Sequence, residues 1–239
     1  MRLARQEMSC NALHHMNDSR GEQELEESQL EKDIGVMISN DLNVSHHVNM
    51  VVSKANRMLG LILNTFTYLN LELFRSLYCT FVRSQLELAV SAWNPYLAKD
   101  KEALELVQRR ATKRAPGLSS LSYEERLVKL RISSLEERRI RGDLIQQFKI
   151  VRGYDKVNWL AKPRYISTEE NKPNTRGHKY RIAKEVSKIN IRSNSFNNRI
   201  ANNWNALPED AVESKSVNTF KTKLDNLYNI NKTFKSLKS

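Results

Sequence analysis

The side chains with most chemistry to offer are arginines and lysines set in helical registers. Arg109, Arg110, Lys113 and Arg114 lie together in Leu106-Val107-Gln108-Arg109-Arg110-Ala111-Thr112-Lys113-Arg114. Residues three and four apart are neighbours on a helix, so these four cations form two adjoining rows with no acid among them. A second set, Arg138, Arg139 and Arg141, lies in Glu137-Arg138-Arg139-Ile140-Arg141-Gly142-Asp143-Leu144, where Glu137 and Asp143 offer local counter-charges. A third, Arg176, His178, Lys179 and Arg181, has Tyr180 among its cations. Guanidinium and ammonium groups arranged in this way bind the oxygens of a phosphate strand, and an interleaved aromatic ring adds base stacking. The same patterns also fit a solvated basic surface or, for the second set, pairing within one helix.

Other chemistries find no foothold. The chain has no Asp-Asp pair, no Gly-rich phosphate loop and no strand-turn nucleophile motif. His14-His15 and His46-His47 are adjacent pairs, and adjacent side chains point about 100° apart on a helix, so they rarely share an ion. No metal, no cofactor and no catalytic residue is therefore expected. Cys10 and Cys79, the only cysteines, supply neither a disulfide framework nor a zinc spacing, which suits an intracellular compartment, nucleus or cytoplasm. No apolar run approaches the roughly 18–20 residues that span a bilayer, so no membrane partner is expected.

The formal net charge is +12, unevenly spread. Residues 1–31 hold three arginines against seven acids, so the remainder carries an excess of sixteen positive charges. Such an excess favours an anionic partner.

The elements that must position these cations read as mostly helical. Residues 1–30 lack periodicity and are expected to be a disordered acidic leader. Residues 31–44 read as one short strand and a turn, with an apolar edge over 34–38 that includes Ile34 and Ile38 and invites a protein partner. Ser45 is the expected N-cap of a long helix with Val48, Val51, Val52, Ala55, Leu59, Ile62 and Phe66 on its apolar face. Asn70 caps a second helix that carries Leu73, Phe74, Leu77, Phe81, Leu88 and Ala89 and stops near Trp93-Asn94-Pro95. A third helix runs over about 99–114. Ser122-Tyr123-Glu124-Glu125 and Ser134-Leu135-Glu136-Glu137 (or the same pattern from Ser133) are capping boxes for two more.

These helices make a bundle over 45–153. A linker with Pro163 and Pro173 follows over 154–175, and a small mixed α+β basic region over 176–230. There, 180–183 and 188–191 are expected to pair as a hairpin. Phe196, Ile200 and Trp204 recur every four residues on a helix closed by Pro208. Ser216 caps a last helix with Val217, Phe220, Leu224 and Leu227, and residues 231–239 form a basic tail. The fold class is thus a mostly-α, bundle-like protein with one N-terminal strand.

In their order, several strings resemble the C-terminal part of non-LTR (LINE-type, jockey-like) retrotransposon reverse transcriptases. They are Glu31-Lys32-Asp33-Ile34-Gly35-Val36, Lys54-Ala55-Asn56-Arg57 with Leu59-Gly60, Val90-Ser91-Ala92-Trp93-Asn94-Pro95-Tyr96, and Val107 to Thr112. Leu121 to Arg126, Arg139 to Leu144, Arg176-Gly177-His178, and Asn198-Arg199 through Trp204-Asn205-Ala206-Leu207-Pro208 complete the set. The resemblance implies that residues 34–38 trail from a polymerase palm and that 45–114 form the thumb, which closes over template and primer. It also implies that the metal-binding aspartates of that family lie upstream of the region matched here, so no catalytic residue is carried over. The expected function is that of a non-catalytic remnant binding RNA or RNA–DNA hybrid. The alternatives are a structural or protein-interaction module, or a relic reading frame with no selected function.

Overall fold

The computed structural model describes residues 15–18, 21–24, 28–159, 163–166 and 177–236. Two antiparallel hairpins precede the helices. The first pairs β1 (His15–Asp18) with β2 (Gly21–Glu24), His15 opposite Glu24, inside the leader expected to lack structure. The second pairs β3 (Leu30–Asp33) with β4 (Val36–Ser39), Leu30 opposite Ser39. The single strand expected over 31–38 is therefore folded in two. Its reversal falls at Ile34-Gly35, where φ is +44° and +87°. Two successive residues at positive φ make the tight turn whose twist suits a hairpin, and glycine takes that conformation freely while isoleucine is strained in it.

α1 (Ser45–Thr65) buries Val48, Val51, Ala55, Leu59 and Ile62 of the expected stripe, whereas Val52 is half-buried and Phe66, expected on the same face, lies just past the helix end and is exposed. Ser45 is not its cap. Asn43 Oδ1 accepts the Ser45 N–H at 3.0 Å, and the Ser45 hydroxyl instead donates to Asp100 at 2.7 Å. Asn70 does cap α2 (Leu71–Leu77), its Oδ1 accepting the Leu73 N–H at 2.8 Å.

From there the expected single helix changes pitch. A π-helical segment (Tyr78–Arg83) leads into α3 (Ser84–Glu87), and α4 (Val90–Trp93) follows a break at Ala89, whose φ is +52°. Phe74, Tyr78, Val82 and Leu86 are buried, a four-residue spacing slower than the 3.6 of an α-helix. The wider π turn absorbs the difference and keeps these side chains on one side. Phe81 and Leu88, expected on that stripe, are turned out to solvent.

α5 (Ala98–Arg114) contributes Leu104, Val107 and Ala111 to the same core. α6 (Tyr123–Leu130) and α7 (Leu135–Val151) both open on complete capping boxes, from Ser122 and Ser134. A buried polar network ties the bundle together. Gln108 Oε1 accepts from Tyr78 at 2.8 Å, and Gln108 Nε2 donates to Tyr123 at 2.9 Å and to the Ser133 carbonyl at 3.1 Å. Tyr123 in turn donates to Glu105, and burial together with that carboxylate pushes the phenol well above its ordinary range.

A second apolar core begins halfway along α7. Leu135 at its start belongs to the bundle, whereas Leu144 and Phe148 pack with Ile200 and Trp204 of α9 (Phe196–Asn205), with Val212 of α10 (Glu209–Val212) and with Phe220 and Leu224 of α11 (Val217–Ser236). The division between the cores thus falls inside α7, short of the expected boundary at 153. Ser216 caps α11, accepting the Thr219 N–H at 3.1 Å.

The hairpin expected from 180–183 and 188–191 does not form, since α8 (Asn190–Ser193) occupies part of the second segment. Two asparagines of α9 take the backbone groups a strand partner would have used. Asn205 accepts the Ile182 N–H at 2.8 Å and donates to its carbonyl at 2.9 Å. Asn198 bonds the Glu185 N–H and carbonyl, and also the Arg192 carbonyl. Buried backbone groups must be paired, and side-chain amides satisfy them here as well as a ladder would. Among the described residues of this region only Tyr165 bridges to Ile182 as a strand does.

Candidate nucleic-acid interface

The three basic segments meet different fates. On α5 the buried stripe of Leu104, Val107 and Ala111 turns Arg109, Arg110, Lys113 and Arg114 to solvent. Among the described residues Lys113 and Arg114 have no acidic partner. Arg110 donates to Asn56 of α1 at 2.7 Å, which steers it without neutralising it, and Arg57 beside Asn56 is also exposed. Arg109 lies over the Tyr123 ring at 5.1 Å and pairs with Glu102 at 3.0 Å, both side chains about half exposed. Lys113 and Arg114 sit in the last helical turn, where the helix dipole favours positive charge. The pairs Arg109/Lys113 and Arg110/Arg114 remain like charges four residues apart, a spacing that costs a few tenths of a kcal/mol in water and that a phosphate strand would relieve.

The α7 arginines point inward. Arg138 makes two bonds to Glu87 of α3, one of them at 2.7 Å, and these raise its pKa above the ordinary arginine value. Arg141 clamps Asp225 of α11 through two bonds of 2.6 and 2.9 Å. Arg139 is 3% exposed and makes no hydrogen bond or ion pair among the described residues; burial pulls its pKa below the ordinary value. These three residues, expected to contact phosphate, are thus withdrawn from the surface or engaged with carboxylates of distant segments.

The third segment is likewise absorbed. His178 is fully buried, with Nε2 at 2.9 Å from the Trp204 carbonyl and its ring edge-on to that indole. Burial lowers its pKa, so it is a neutral donor inside the second core and not a phosphate contact. Lys179 pairs with Glu213 at 3.1 Å and lies over Tyr180. Arg181 is half-buried and packs over Gly177, where an added Cβ would meet its Cδ at 3.1 Å. Arg176 lies outside the described residues.

Sequence reasoning missed the cation that holds the cores together. Arg199 of α9 forms two bonds to the buried Asp143, of 2.9 and 3.0 Å, and donates to the Ser91 carbonyl at 2.6 Å. Asn94 completes the cluster with a bond to Asp143 at 3.0 Å. Three of the landmark strings thus meet at one point, each supplying a residue to a buried ion pair. His47, dismissed as a metal ligand, serves the fold instead, since its Nδ1 accepts the outward N–H of Met37 on β4 at 3.1 Å. Among the described residues no three His, Cys, Asp or Glu side chains gather as a metal would require, and no helix is long and apolar enough to cross a membrane.

Fold and surface together define a mostly-α protein whose two cores share one helix and whose α5 presents an open basic face. No protein-family model, no curated protein and no solved structure matches the chain.

Proposed function

We propose that this chain binds RNA or an RNA–DNA hybrid with little sequence preference, through phosphate contacts on the outer face of α5. It acts as a non-catalytic remnant of a LINE-type reverse transcriptase thumb, in an intracellular setting. The observation that carries the reading is the four-cation face of Arg109, Arg110, Lys113 and Arg114, anchored on a buried stripe and opposed, among the described residues, only by the exposed Glu102. The α7 arginines, engaged or buried in the fold, and the buried His178 do not support this reading, which rests on fewer phosphate contacts.

Binding through four phosphates predicts that affinity falls about a hundredfold between roughly 50 and 200 mM salt. Fluorescence anisotropy of a labelled hybrid measures this, and affinity that does not change with salt would sink the reading. Primer extension on an RNA template should yield no product.

A second reading, a protein partner on the turn of the β3–β4 hairpin, is favoured by Ile34, which is 93% exposed, and by the half-exposed Ile38 beside it. Light scattering that finds a stable, nucleic-acid-free oligomer would favour it over strand binding.

A further inference from the structure

A cavity of about 210 Å³ opens where α5, α7 and α9 meet the segment after α4. Its wall carries three cations, Lys101, Arg139 and Arg199, and two carboxylates, Glu136 and Asp143. Asp143 is already held by Arg199 and Asn94, and Glu136 lies 3.8 Å from Lys101. Arg139 is the cation left over.

A guanidinium carries five N–H donors, and buried polar groups almost always have partners. Arg139 is buried as a residue, and among the described residues no hydrogen bond and no carboxylate within 4 Å engages it, yet its nitrogens are not among the atoms sealed from solvent, so they open onto the cavity. Four acids surround it at longer range, and all are engaged elsewhere. Glu105 accepts from Tyr123 and the Leu135 N–H, and Glu87 from Arg138, while Glu136 and Asp143 have the partners just named. Their field makes the positive charge tolerable but leaves its donors unfilled. Oxygens that enter the cavity, of water or of a ligand, meet these donors directly.

The cavity shape adds to this. A second, largely apolar chamber of about 440 Å³ adjoins it, sharing Asn94, Tyr96, Asn194 and Arg199 as common walls. Aromatic rings of Trp93, Tyr96 and Phe196 line the larger chamber. Together the two chambers fall in the range of about 300–1,000 Å³ that small-molecule sites occupy.

We propose that Arg139 anchors a site for a nucleoside phosphomonoester, with the phosphate on its guanidinium and the flat base in the adjoining aromatic chamber. The ligand is either a free mononucleotide or the phosphorylated end of a strand, and the inference does not depend on the α5 face.

Isothermal titration of the full chain with AMP, and with adenosine as the uncharged counterpart, tests it directly. AMP should bind at least about tenfold tighter than adenosine, the scale of a charge-assisted hydrogen bond. R139Q should lose that advantage, and R139K should keep part of it, because lysine retains the charge but not the planar fork. The double variant K113Q/R114Q should bind AMP as the wild type does. A parallel titration compares 5′-phosphorylated and 5′-hydroxyl oligonucleotides of one sequence. A preference of about tenfold for the phosphorylated end assigns the site to strand termini, whereas AMP binding without that preference assigns it to free nucleotides. The wild-type titrations decide the matter even if R139Q does not fold. Equal binding of AMP and adenosine with no end preference, or an AMP advantage that survives in a folded R139Q, would overturn the proposal and leave the cavity to water.

Discussion

α5 and α7 carry arginines at similar spacing beside apolar residues, yet the chain uses them in opposite ways. The outer face of α5 looks away from both cores, and its cations stay in water. α7 packs against α4, α5, α9 and α11, so arginines on its several faces meet other elements. A helix at the centre of a fold has little outer face, and its cations become cross-links; a helix at the margin leaves them in water.

The largest test of that contrast removes a cross-link. Asp143→Ala leaves Arg199 without its counter-ion in a site where both side chains are largely buried. Breaking a buried pair from one side costs about 3–5 kcal/mol, because the remaining charge stays desolvated. Urea denaturation should show a loss of this size. A loss below about 1 kcal/mol would mean that the α7 junction contributes little, and the contrast would fail.

A crossed pair of variants sharpens the comparison. Arg138→Gln breaks the two-bond clamp on Glu87 and should cost about 1 kcal/mol, reduced by partial exposure, with little change in affinity for an RNA–DNA hybrid. The double substitution K113Q/R114Q should change stability by no more than about 1 kcal/mol, mostly through the helix dipole. It should also lower the salt slope of binding by about 2, one for each phosphate contact removed. If both variants weaken binding alike, the two helices do not differ in role.

What the sequence could convey follows the same line. Local devices were legible: the α1 stripe, the two capping boxes, Asn70 and Ser216 as caps, and the four-residue run of Phe196, Ile200 and Trp204 all depend on neighbours within a few positions. The partners of the α7 arginines were not. Glu87 lies 51 residues before Arg138 and Asp225 lies 84 after Arg141, so no spacing rule links them. The hairpin over 180–191 failed for a related reason. Tyr180, Ile182, Ile189 and Ile191 suit strands, but Asn198 and Asn205 of a later helix capture the backbone. The π turn was hidden because a helical run with one extra residue per turn still reads as apolar periodicity. For the α5 face the residues were legible, and what the structure adds is that, among the described residues, Glu102 is the one acid that pairs with any of them.

Histidines extend the comparison to pH. His178 and His47 are buried, and burial lowers both pKa values below the ordinary 6.5, with Lys54 adding repulsion at His47. A base held neutral in the folded state binds fewer protons than in the unfolded chain. Its stabilising contribution is therefore complete above pH 6.5 and is lost as pH falls below that value. The melting temperature should be level from pH 8 to about 7 and decline between about 6.5 and 5. His178→Gln, which keeps a donor for the Trp204 carbonyl, combined with His47→Asn, which keeps an acceptor for the Met37 N–H, should flatten that decline. A wild-type melting curve level down to pH 5 would show that neither imidazole is held neutral.

The smallest effect concerns Glu102, the acid that faces the α5 cations. Its pairing with Arg109 at 3.0 Å is half-exposed, and such pairs contribute about 0.2–1 kcal/mol. Arg109 must release this partner to reach a phosphate, and the strand must approach a carboxylate. Glu102→Gln should therefore strengthen hybrid binding about two- to fivefold at low salt, with the gain fading as screening sets in. Stability should change by less than about 0.5 kcal/mol. Unchanged affinity would remove Arg109 from the contact and confine the interface to Arg110, Lys113 and Arg114. Weakened affinity would mean instead that Glu102 holds Arg109 ready over the Tyr123 ring, so that the one acid on the face orients a cation for the strand.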